Sequence, residues 1–271
     1  MNISSDTDLM SWKKSGKITE PSDKCIYREC DGSGTIIYRR DNGTEYMTFC
    51  KCREYNQLLH EIKTAKIPED YFHKTLKDFQ TNIYQSVDSI KLAKYAQKAA
   101  SRYVESFSEM VKMGKGLYLY SKTKGSGKTL LSIIIIYELM LKYKVKPLYI
   151  SVVNILNELK NTFQQKEMNF YDLIQSFKQA DVLVMDDLGV EKTTDWSEEI
   201  LTQILDERMS HKKPTIITSN MPIAALEQKY PAGRIKSRVE KITFPVPMPE
   251  ESIRTILSKQ ENDKIAKMFF E

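Results

Sequence analysis

The chain has 271 residues, 41% hydrophobic and 28% charged, enough for a domain of ordinary size with a smaller one beside it, which excludes a chain dominated by disorder. Its 41 basic and 36 acidic side chains leave a net charge of +5, which permits an anionic partner without requiring one. The first residues lack the basic start and apolar stretch of an export signal, and the most apolar run, 130–137, falls far short of the ~20 residues that cross a bilayer, so a cytoplasmic protein with no membrane contact is expected.

Residues 1–24 are polar, show no sustained period and are expected to be a flexible lead-in. A small module is predicted over 25–66, where all four cysteines, Cys25, Cys30, Cys50 and Cys52, fall around turn signals at Gly32, Gly34 and 41–43. A hairpin there brings the two cysteine pairs together, and four thiolates supply the tetrahedral shell that zinc prefers. Unligated or redox-active thiols are the alternative. So few apolar residues cannot hold the module together, so the metal would supply its folding free energy. Tyr38, Arg39, Arg40 and Tyr46 are placed to touch a nucleic-acid strand, an ordinary solvated hairpin being the other reading.

A helical pattern over 53–66 is broken at Pro68, and 67–85 is expected as a linker. The remainder, 86–271, is expected as the main domain, opening with a helical stretch over 86–113. From Gly116 onward strands at 117–121, 147–151, 181–186, 214–219 and 241–246 alternate with helices at 128–143, 152–163, 170–179 and 197–211. That alternation is the mark of an α/β fold, a five-stranded parallel sheet covered by helices.

The first strand runs into Lys124-Gly125-Ser126-Gly127-Lys128-Thr129-Leu130, in the order strand, glycine-rich loop, helix. Loop N–H groups and the helix dipole surround a phosphate chain in such an arrangement, glycine allowing close backbone approach. Lys128 would reach the β- and γ-phosphates of ATP, and Thr129 would place its hydroxyl on Mg2+. The motif asks for glycine six residues before the lysine, and this chain has Lys122, so the loop is expected to begin with a different bend.

The apolar run 182–185 ends in Asp186-Asp187, two carboxylates at the C-terminal tip of a central strand, where ligands sit in such sheets. Asp186 would hold magnesium and Asp187 would polarise the attacking water. The strand 214–219 ends beside Asn220, which would sense the γ-phosphate, a simple turn before Pro222 being the alternative. Arg234 and Arg238 lie one helical turn apart, and Arg238 would serve another subunit's ATP unless it only makes a surface salt bridge.

These residues together resemble the DnaC/DnaI family of replicative helicase loaders, AAA+ ATPases, and the related IstB-type transposition helpers. The likeness rests on the loop through Thr129, the segment Val184-Met185-Asp186-Asp187-Leu188-Gly189, Thr218-Ser219-Asn220 and Ser237-Arg238. It implies a P-loop AAA+ (ASCE) three-layer core, ATP hydrolysis, and catalytic roles for Lys128, Asp187, Asn220 and Arg238, the last as an arginine finger. Ser252-Ile253-Arg254 matches a second sensor weakly, and the C-terminal tail leaves little room for a helical lid. The resemblance further implies a replicative hexameric helicase as partner, engaged by the zinc module, with single-stranded DNA and assembly as a homo-oligomer. Lys160, Lys166 and Lys178 occupy the position of the insertion that initiator-type relatives carry, and are candidates for the DNA contact. A transposase helper and a non-hydrolysing adaptor, the latter suggested by Lys122, are the rivals. A small-molecule kinase is disfavoured by Asn220 and Ser237-Arg238.

Overall fold

Alternation of inward and outward side chains builds the first part of the chain as a three-stranded antiparallel meander, β1 (Gly16–Lys17), β2 (Thr35–Arg39) and β3 (Glu45–Phe49), followed by helix α1 (Cys52–Thr64). Ile36 turns inward while Ile37 faces out, and Tyr38 stacks across the strands on Tyr46. The computed structural model describes residues 16–162 and 170–270. They divide into two compact units, one ending at Lys63 and the other beginning at Thr64. In the first unit the small core is Cys25, Cys30, Ile36, Cys50 and Cys52.

Residues 67–85, expected as a linker, belong to the second unit. Ile67, Phe79 and Tyr84 are buried in it, and Gln97 holds the carbonyls of Leu76 and Phe79. The helical stretch expected over 86–113 is two helices, α2 (Val87–Glu105) and α3 (Phe107–Met113), separated at Ser106. Ser86 caps the first through the Ser89 N–H, and Gly114, at φ +65°, ends the second in the left-handed region.

Strands β4 (Gly116–Tyr120), β5 (Pro147–Ser151), β6 (Val182–Leu188), β7 (Thr215–Ser219) and β8 (Thr243–Pro247) form a five-stranded sheet in the order β5-β6-β7-β4-β8, every neighbouring pair parallel. The last strand starts two residues later than expected because helix α9 (Arg234–Ile242) runs on to Ile242. Between the strands lie α4 (Lys128–Tyr143), α5 (Val152–Thr162), α6 (Phe170–Gln179), α7 (Asp195–Ser210) and α8 (Leu226–Lys229). Helix α4 is buried over most of its length, from Leu131 to Met140, because the sheet covers one side and α2 another. Each isoleucine from Ile133 to Ile136 is buried there, contributing ~1.5–3 kcal/mol.

Thr194 and Ser197 close a reciprocal capping box at the start of α7. Near its end Arg208 is fully buried, its guanidinium donating to the carbonyls of Phe177, Lys178, Ala180 and Pro214 and to Thr215. It thereby satisfies the last carbonyls of α6, and burial pulls its pKa down to about 9. The last described element is an 18-residue helix, α10 (Ile253–Phe270), in which no residue is fully buried. Among the described residues no helix is long and apolar enough to cross a membrane.

Candidate functional site

Strand β4 delivers the loop 121–127 to the first turn of α4. Gly125 and Gly127 have φ of +76° and +90°, a region that other residues enter at a cost. A Cβ on Gly127 would also lie 3.1 Å from both the Phe79 ring and the Tyr84 hydroxyl. Tyr84 donates to the Ser126 carbonyl at 3.0 Å, so the segment before α2 braces the loop from outside.

Lys122 does not stand at positive φ, so its position makes no demand for glycine. The loop begins instead on a carboxylate. Glu250 accepts the Lys122 N–H at 3.1 Å and the Thr123 N–H at 3.0 Å, while the Lys122 side chain is exposed. Burial raises the Glu250 pKa, but these donors outweigh it and hold the group below its ordinary value. Next to it Glu251 accepts from Gln85 N at 2.7 Å and Ser86 N at 2.8 Å, and these bonds lower its pKa to about 2.

The Lys128 amino group lies within the loop, 2.9 Å from the Thr123 carbonyl and 3.3 Å from Ser126 Oγ. Burial lowers its pKa, opposed by Asp187, Glu250 and Asp186, so phosphate oxygens would meet a cation already stripped of water.

Thr129, one residue on, reaches the acidic strand: its hydroxyl lies 3.0 Å from Asp186 Oδ1. Two further hydroxyls donate to the same carboxylate, Thr218 at 2.6 Å and Tyr149 at 2.7 Å. Thr218 also accepts the Asp187 N–H at 2.9 Å. Strand β6 is irregular here: Met185 pairs with Ile217 and Leu188 with Ser219, leaving one extra residue on β6, and Asp187 takes φ 57°. Such a bulge re-aims a side chain, and it separates the two acids into different settings. Asp186 is buried in the hydroxyl cage, and Asp187 is half-buried at the strand tip. Burial and the neighbouring Asp186 raise the Asp187 pKa, while Lys128, Lys124 and Arg254 pull it back. A hydroxyl and a buried carboxylate are hard oxygen donors of the kind magnesium takes.

Asn220 stands one residue past β7, the strand that lies between β4 and β6, so the expected neighbour relation holds, and its side chain is half-buried. The Ser252-Ile253-Arg254 segment also lies on the loop: Ile253 N donates to the Gly125 carbonyl at 2.9 Å, and a Cβ on Gly125 would lie 3.2 Å from Arg254 Cβ. Lys124 lies within the same loop, and Leu130 follows it in the first turn of α4. Arg238 is engaged within its own chain, its Nε 2.5 Å and Nη2 2.8 Å from the two Asp206 oxygens and its Nη1 2.9 Å from the Arg234 carbonyl.

In the first unit the four thiols converge. Cys25 and Cys50 sulfurs are 3.7 Å apart, Cys30 and Cys52 sulfurs 3.3 Å, all four lie within 4.8 Å of one another, and all are buried. Four sulfurs ~2.3 Å from one tetrahedral ion stand about 3.8 Å apart, so the donor set is compatible with zinc. Burial and neighbouring sulfurs push the Cys50 and Cys52 thiols up, a crowding that a dication would relieve.

The DNA-contact candidates separate. Lys160 is exposed, its ammonium 5.2 Å from the Trp196 ring centroid. Lys178 is buried at 6% exposure, four residues after Ile174 on the inward face of α6, and is thereby corrected as a surface contact. Lys166 lies outside the described residues. Sequence reasoning missed Tyr149, Tyr84, Glu250 and Glu251. A tyrosine inside an apolar strand carries no signal of its own, and the two glutamates meet the loop only through the folded chain.

The family model described as IstB-like ATP binding protein matches residues 49–238. Phage-like element PBSX protein XkdC of Bacillus subtilis is 28% identical over 202 residues, 73% of this chain and 72% of that one. Replicative helicase loader DnaI of the same organism is 29% identical over 205 residues, 71% of this chain and 62% of its own length. Replicative helicase loader DnaC of Escherichia coli K12 is 32% identical over 125 residues, 46% of this chain. The match thus spans about half of DnaC, 49%, and under two thirds of DnaI, 62%. Among solved structures, a crystal structure of DnaI superposes with a TM-score of 0.55 at 29% identity over 67% of this chain and 94% of that one. A putative primosome component from Streptococcus pyogenes serotype M3 gives 0.56 at 27% identity, over 69% and 95%. With the family model covering more than half of its length, the chain belongs to the IstB-like ATP-binding proteins, which are AAA+ P-loop ATPases.

Proposed function

We propose that this chain is an ATP-hydrolysing loader that sets a ring-shaped replicative helicase on single-stranded DNA at replication initiation, acting in the cytoplasm as a homo-oligomer. The observation that carries the nucleotide part is the meeting of Thr129 and Asp186 at 3.0 Å, which draws the phosphate loop and the acidic strand into one site. The loader part is supported by the likeness to DnaI and DnaC, both named as replicative helicase loaders.

In this reading the loop from Lys124 to Leu130 binds the phosphates through its N–H groups, and Lys128 exchanges its carbonyl contacts for phosphate oxygens. Thr129 and Asp186 would hold magnesium, which when bound would supply positive charge against the charge developing on the phosphates. Tyr149 and Thr218 keep the Asp186 carboxylate oriented. Asp187 accepts the proton of the attacking water, and Asn220 positions that water or the γ-phosphate. Arg238 leaves Asp206 to meet the ATP of a neighbouring subunit, where its charge offsets that developing on the γ-oxygens.

Cys25, Cys30, Cys50 and Cys52 would hold zinc, which would supply folding free energy to the 25–66 module that holds the helicase, while 86–271 works as the ATPase domain. The test is co-purification of the full chain with a replicative helicase, with and without ATP. ATP-dependent capture is the expected result. The family description favours a second reading, an ATP-dependent helper of a transposase, and recovery of a transposase with no helicase binding would select it.

A further inference from the structure

The turn after Asp187 is tied to the segment that leads into α9. Glu191 is 4% exposed; one carboxylate oxygen accepts the Gly189 N–H at 2.9 Å and the other accepts the phenol of Tyr230, itself fully buried. Two more bonds join the same stretches: Lys229 Nζ donates to the Glu191 carbonyl at 2.7 Å, and Thr193 Oγ1 donates to the Lys229 carbonyl at 3.2 Å.

Each end of this connection rests on a residue of the ATPase reading. On the near side Val190 N donates to the Asp187 carbonyl at 3.3 Å, and Thr218 holds both acids, accepting the Asp187 N–H at 2.9 Å and donating to Asp186 at 2.6 Å. On the far side Gly233 N donates to the Tyr230 carbonyl at 2.9 Å, and α9 begins at the next residue with Arg234 and carries Arg238. Backbone bonds alone close most turns, whereas a carboxylate taken out of water costs free energy unless every oxygen is paired. Glu191 pairs both, one to each side. Burial and Glu191 push the Tyr230 phenol up, so it remains a proton donor at any working pH.

We infer that Glu191 and Tyr230 are positioning residues, a strut that fixes the Asp187 turn of a subunit's own ATP site relative to the α9 arginines that face its neighbour's site. The inference rests on the reading of Arg238 as acting across an interface. It makes the geometry of one site depend on the next through the Glu191 and Tyr230 side chains, with no contact to nucleotide.

The test uses full-length Tyr230→Phe and Glu191→Gln. Tyr230→Phe removes one hydroxyl, and kcat for ATP hydrolysis is expected to fall about tenfold to a hundredfold, with ATP affinity and KM within about twofold of wild type. A Tyr230→Phe chain that is less heat-stable yet hydrolyses at the wild-type rate overturns the strut. Should melting show that Tyr230→Phe does not fold, Glu191→Gln carries the same measurements, since its amide has one acceptor oxygen for two donors, the Gly189 N–H and the Tyr230 hydroxyl.

The arm across the interface mixes wild-type subunits with Lys128→Ala subunits, with and without Tyr230→Phe. The Lys128→Ala site is silent, so any extra loss from Tyr230→Phe must arise in the wild-type neighbour. That loss is expected, and its absence refutes transmission to α9. Arg238→Ala is the separate control: if it leaves turnover unchanged, the trans-arginine reading fails whatever Tyr230→Phe does.

Discussion

The Tyr149 phenol donates to Asp186 Oδ2 at 2.7 Å from the adjacent strand, where Tyr149 pairs in register with Val184 two residues before the acid. A partner of this kind orients a metal ligand, and losing it typically costs 10–100-fold in metal affinity. Tyr149→Phe should raise the magnesium concentration for half-maximal hydrolysis about tenfold and leave metal-free ATP binding unchanged. A magnesium titration with a fluorescent nucleotide measures both.

Asp187 combines a left-handed backbone with a carboxyl whose pKa burial and Asp186 have raised. A carboxyl with a raised folded pKa binds its proton more tightly when folded, so stability falls as pH rises from the unfolded value through the folded one. At neutral pH Asp187→Asn removes that cost, and asparagine tolerates φ 57°. Its melting temperature should therefore rise while hydrolysis drops at least about a hundredfold. Thermal melts at pH 5 and pH 7.5 with phosphate-release assays give both readings, the gain being larger at the higher pH.

Glu251 gives the opposite sign. Its folded pKa of about 2 lies below the unfolded value of about 4.3, so its stabilisation is complete above the latter and lost as pH falls toward the former. Glu251→Gln should melt about 2 °C lower than wild type near pH 6, a scale set by solvent screening, with the difference shrinking toward zero as pH falls through about 2. Melting curves across that range check the convergence.

Cys50→Ser should reduce zinc from one ion per chain to none and unfold residues 25–52, while the second unit melts unchanged. Metal analysis beside calorimetry separates the two units.

The phosphate loop was legible because its chemistry is contiguous: Gly125, Gly127, Lys128 and Thr129 stand together between a strand and a helix. The acidic strand was legible by its apolar run, and the sheet followed from the alternation of elements. Tyr149, Glu250 and Glu191 act through partners 37, 128 and 39 residues away, a separation that local pattern does not encode. Lys178 was misread although the signal was present, since it continues the inward row of Ile174 on α6. The terminal helix α10 gave no such signal, because no face of it is buried.

Calorimetric titration of ATP with magnesium into the full chain and into Lys128→Ala tests the shared grip of loop and acidic strand most directly. One magnesium-dependent site per wild-type chain is expected, weakened about tenfold to a hundredfold by the substitution. Equal affinity in the two chains, or wild-type binding indifferent to magnesium, would contradict it.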